Sequence, residues 1–142
     1  MRFLWLSLIL CACGRDVTAP ADAVPPNAVR FEPASFERDA LDSVRTCIAA
    51  NGSTPKPTFT VEDVAWYHVA GTQFTMPNGG VWEGYAGHGW IVMAQDAPNH
   101  QQLTRHELAH ELVTEAIPHS SPFWTKCNLM VAYGTSFTIP TP

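Results

Sequence analysis

Residues 106–110 read His106-Glu107-Leu108-Ala109-His110. The surrounding stretch has helical spacing: Leu103, Leu108, Leu112 and Val113 can form one inner face, and Pro118 stops the run. Asn99 or Thr104 is the expected cap, and the helix is expected to reach about Ala116. Positions four apart on a helix lie one turn apart on the same face. Two imidazoles placed there can grip one metal ion, and a carboxylate beside the first can hold a water that the ion activates. The run therefore requires a helix at this point and a further ligand brought to it from elsewhere.

A catalytic zinc takes three protein ligands and keeps one position open. A carboxylate on a later helix, as in thermolysin-like enzymes, is excluded because no Asp or Glu follows Glu115. The metzincin spacing asks for Gly three and His six residues after His110, where Val113 and Ala116 stand. His119 is the only His after the motif, and Pro118 before it lets the chain turn back. The run His119-Ser120-Ser121-Pro122-Phe123-Trp124 resembles the segment after the motif in SprT-like and related minimal zincins. There a His precedes a small residue and then an aromatic one. The resemblance covers residues 106–124 and departs in having no Gly directly after His119.

This resemblance implies a zincin-type metallopeptidase with one Zn2+ on His106, His110 and His119, and Glu107 as general base. It also implies an extended peptide bound against the edge strand beside the motif helix, a role that falls to Gly89–Ala94, the segment just before that helix. His88, between two glycines, is the rival third ligand. His100 reads as a solvated residue at the helix entry, and His68 as a hydrogen-bonded core residue. Glu111 is expected in solvent; Glu115 is expected there too, or against a ligand His. Tyr133, after the last helix, is the candidate oxyanion donor, with packing as its alternative role.

Residues 1–13 read as a secretory signal: Met1-Arg2, an apolar run from Phe3 to Leu10 too short to span a bilayer, then Cys11-Ala12-Cys13. Leu-x-Ala-Cys resembles the lipobox of bacterial lipoproteins, which assigns Cys13 as the lipidated residue; Leu10 makes Cys11 a poorer fit. A plain secreted protein cut nearby is the alternative. Residues 14–32, with Pro20, Pro25 and Pro26 and no apolar periodicity, read as an extended tether. Residues 33–142 are then one domain carried on the bacterial cell envelope, lipid-anchored outside the cytoplasm.

Cys47 and Cys127 remain, and in an oxidising compartment they are expected to pair, with two free buried thiols as the alternative. The chain carries a net charge of −5 and no basic patch, which argues against a nucleic-acid partner.

The periodicities predict a helix over Pro33–Ala50, capped by Ser35, with Phe36, Ala40, Leu41, Val44 and Ile48 inward. A strand is expected over Phe59–Val69, with a break near Glu62-Asp63, then strands over Val81–Ala86 and Gly89–Ala94. Ser121–Ala132 reads as a last helix with Pro122 in its first turn and Phe123, Leu129 and Met130 inward. Strands between helices give α+β: an N-terminal helix, a small, mostly antiparallel sheet of three to four strands, the motif helix and a C-terminal helix.

Two functional readings follow. One is a tethered zinc metallopeptidase acting on peptide or protein substrates. The other is a non-catalytic lipoprotein that binds zinc or a partner on a zincin scaffold. Glu107 separates them, since a structural zinc has no use for a carboxylate beside its first ligand.

Overall fold

The computed structural model describes residues 24–114 and 117–130. The first helix, α1 (Ser35–Ala50), buries Ala40, Leu41, Val44 and Ile48, the face its periodicity marks. Ala34, not Ser35, is the cap residue, and the Glu37 carboxylate reaches back to accept the Ala34 N–H at 2.8 Å. The helix ends at Asn51, and Gly52 takes the left-handed backbone (φ 80°) that follows. The expected break near Glu62 is a 3-10 turn over Val61–Asp63, closed by the Asp63 carboxylate on the Thr60 N–H.

The described residues form six strands. They are β1 (Val29–Phe31), β2 (Ala65–Val69), β3 (Phe74–Thr75), β4 (Val81–Trp82), β5 (Gly84–Gly87) and β6 (Trp90–Ala94). The main sheet runs β1-β2-β6-β5, with β2 and β6 parallel and the other two pairings antiparallel. The hairpin β3–β4 turns through Pro77-Asn78-Gly79-Gly80, with Gly79 at φ 87°.

The sheet corrects three expectations. Gly89–Ala94 is not an edge: β6 lies between β2 and β5, and all five of its residues are buried. Val81–Ala86 is not one strand. It divides at Glu83, so that β4 serves the hairpin and β5 the sheet. Val29–Phe31, within the stretch read as tether, pairs with Trp66–His68 as an outer strand.

The motif helix is α2 (His100–Leu112). Asn99 caps it in a left-handed conformation without a side-chain bond, while Thr104 is interior and bonds back to the His100 carbonyl. The helix stops short of Ala116 because Val113 leaves it to bridge Pro55, and the Leu112 carbonyl accepts the Lys56 N–H at 2.8 Å. The last helix, α3, is also shorter than expected: Pro122–Lys126. Leu129 is fully buried, but Met130 is 45 % exposed, not inward.

The helix α2 packs on the sheet against β5 and β6, and α1 packs on α2. The core between them holds Trp66, Ile91, Met93, Leu103, Leu108 and Leu112. The Cys47–Cys127 disulfide ties α1 to the end of α3. No described helix is long and apolar enough to cross a membrane.

Candidate metal centre

Helical spacing alone brings His106 and His110 together. Their Nε2 atoms are 3.1 Å apart. Beyond the helix end Pro118 turns the chain, and His119 returns with its Nε2 at 3.2 Å from that of His106 and 3.1 Å from that of His110. These three residues are the one group among the described residues able to hold a metal ion. Zn–N bonds of 2.0–2.1 Å at tetrahedral angles put ligand nitrogens roughly 3.3–3.4 Å apart. The observed triangle is a slightly compressed face of such a polyhedron.

The proton inventory favours a cation. His106 Nδ1 lies 2.6 Å from the Leu129 carbonyl, which can only accept, so the proton sits on Nδ1. Nε2 then offers a lone pair toward the other two rings. Burial pushes the His106 pKa down, and the nearby His119 adds to this against the Leu129 bond. Burial, with His106 and His119 beside it, pushes His110 down to about 3. Burial also lowers His119. Three neutral imidazoles converging on one point are a metal-ligand set: the charged forms are disfavoured and three lone pairs share one focus.

Trp124 braces this triad from behind. Its fully buried indole stands 4.6 Å from the His106 ring and 4.8 Å from each of the other two, centroid to centroid. Its Nε1–H donates to the Pro118 carbonyl at 3.0 Å, pinning the peptide just before His119. The aromatic residue is visible in the sequence, but its contact with all three histidines is not.

Glu107 is buried against the sheet. The Glu83 carbonyl accepts the Ala94 N–H at 2.7 Å, and antiparallel alternation then turns the main-chain groups of Gly84 and Ala86 away from β6. The Ala86 N–H faces the Glu107 carboxylate and favours its ionised form, while burial dominates and pushes its pKa up to about 8. Space here is tight. A Cβ at Gly84 would come within 2.8 Å of Glu107 Oε1 and 2.7 Å of Leu103 Cδ1. Glycine at this point lets β5 lie against the motif helix.

The remaining expectations divide. His88 is exposed near Glu111 and does not join the triad. His100 rests against Phe36, and half-buried His68 against Phe31. Glu111 is half-buried rather than solvated. Burial raises its pKa, and its carboxylate accepts the Gly89 N–H at 3.4 Å. Cys13, Glu115 and Tyr133 lie outside the described residues.

Comparison with known proteins finds no matching family model, curated protein or solved structure. The functional reading therefore stands on the side chains themselves.

Proposed function

We propose that the chain is a zinc-dependent metallopeptidase working outside the cytoplasm, with His106, His110 and His119 as the ligands and Glu107 as the general base. The observation that carries this reading is the triangle of three Nε2 atoms, 3.1–3.2 Å on each side, with a buried carboxylate next in sequence to His106 on the same helix. Three imidazoles, with no fourth protein ligand in the group among the described residues, match the pattern of a catalytic rather than a structural zinc.

Bound zinc would supply Lewis acidity toward a substrate carbonyl and lower the pKa of water held there. The chain's own groups do the rest. Glu107 Oε accepts a proton from the attacking water and can hand it to the leaving amine. Its raised pKa suits that exchange near neutral pH, and a neighbouring cation would draw it down again. The free sheet edge beside α2 is β5, and an extended peptide would pair there, main chain to main chain.

Export is supported by the disulfide, which suits an oxidising compartment, and by the apolar run before Cys13. A lipid on Cys13 would hold the domain at a membrane.

Glu107→Gln keeps the ligands and removes the base. The variant is expected to retain one equivalent of zinc by elemental analysis and to lose casein hydrolysis by at least about a hundredfold. Unchanged proteolysis in that variant would sink the mechanism.

A further inference from the structure

The segment just after α3 is held by α2 through four successive carbonyls. Arg105 Nη2 donates to the Cys127 carbonyl at 3.2 Å. Gln102 Nε2 stands 3.3 Å from the Asn128 carbonyl and 2.7 Å from that of Met130. Between them, His106 Nδ1 donates to the Leu129 carbonyl at 2.6 Å. Residues 102, 105 and 106 fall on one helix face, so a single stripe of α2 grips the whole strap. From the other side, Cys127 is bonded covalently to Cys47 of α1. The Leu129 N–H also donates to the Trp124 carbonyl at 2.8 Å, linking the strap to the indole behind the triad.

The Leu129 carbonyl is the group that sets the His106 tautomer; the buried Leu129 side chain and its N–H bond to Trp124 anchor the residue, and the contacts on either side orient its carbonyl. On either side of it Cys127 is held by the disulfide and Arg105, and Asn128 and Met130 by Gln102. Resting on the metal-binding reading, we infer that Gln102, Arg105 and the Cys47–Cys127 disulfide are positioning residues that preset His106 for the metal. A displaced strap leaves the Nδ1 proton without its acceptor, and the ring then turns or changes tautomer. Loss of such an outer partner costs roughly ten- to a hundredfold in metal affinity.

The test is a Co2+ titration of the purified full-length chain, followed by visible absorption, which reports both affinity and ligand geometry. Two variants are compared with wild type: Gln102→Leu with the disulfide intact, and Cys47→Ser/Cys127→Ser, which leaves no thiol at this position to bind cobalt. Each is expected to bind Co2+ roughly ten- to a hundredfold more weakly, with an altered d–d spectrum. A role limited to stability would lower the melting temperature and leave the dissociation constant and the spectrum of the folded protein unchanged. That result in Gln102→Leu overturns the inference, whether or not the double serine variant folds. A wild type that takes up no Co2+ overturns the metal-binding reading itself, and tight binding by wild type and both variants alike overturns only the clamp.

Discussion

At the residue scale, the two buried titratable types of the site oppose each other in pH. Burial pushes Glu107 from 4.5 up to about 8, so its folded form holds a proton that the unfolded chain has released. Its contribution to stability is complete below about pH 4.5 and is lost as pH rises through about 8. Burial pushes His110 from 6.5 down to about 3, so its contribution is complete above about 6.5 and is lost as pH falls toward 3. The His110 effect is common to the wild type and Glu107→Gln, and cancels in their difference. Metal-free Glu107→Gln should therefore gain on the metal-free wild type as pH rises from about 4 to 8.5. The gain should reach a few kcal/mol, on the order of 1.4 kcal/mol for each pKa unit realised. Urea unfolding at the two ends of that range measures it. A difference independent of pH would mean that the Glu107 carboxyl is not desolvated as described.

At the element scale, α3 and the loop before it deliver the third histidine of the triad. The Trp124 indole packs on all three imidazoles and also holds the Pro118 carbonyl. Trp124→Phe keeps an aromatic ring in place and removes the N–H. The His119 loop then loses its tether, and zinc affinity is expected to fall roughly tenfold in competition with a chromogenic chelator. An unchanged affinity would reduce Trp124 to core packing.

The elements also show what a sequence can disclose. The motif helix, α1 and the third His were legible because each rests on local signals: fixed spacing, a proline stop, and the absence of rival ligands downstream. Strand order was not, because β6 becomes interior only through its partners β2 and β5, and pairing partners leave no trace in a single strand's pattern. The division of Val81–Ala86 at Glu83 was hidden for the same reason. Val29–Phe31 was masked by the prolines around it, although three residues with free N–H groups were enough to form an outer strand. The strap over His106 was illegible in principle, since its acceptors are main-chain carbonyls that every residue type carries.

At the scale of the whole molecule, the triad joins a helix to a loop that the core alone does not fix. His119 is exposed, whereas His106 is 2 % exposed. An ion bound across them would tie the loop to the sheet-packed helix and would favour the folded chain over the unfolded one. At a free zinc concentration about a hundred times the dissociation constant, mass action adds about 2.7 kcal/mol. For a domain of this size that corresponds to a rise in Tm of roughly 10 °C, measured by calorimetry with zinc and with a chelator. Coincident melting curves would exclude a bound ion shared between the two elements. The disulfide acts in the same direction from the opposite side of α3, joining positions 80 residues apart. In the chain-entropy account such a closure adds on the order of 4 kcal/mol by restricting the unfolded ensemble.

The placement of Glu107 against Ala86 has an effect unrelated to chemistry on substrates. A short outer strand with open main-chain donors invites a neighbouring molecule to zip onto it. Here the strand is four residues long and one of its two outward N–H groups already faces a carboxylate from the helix alongside. Any strand laid along this edge therefore finds the Gly84 N–H as its remaining outward donor, which restricts the register in which a chain can pair there.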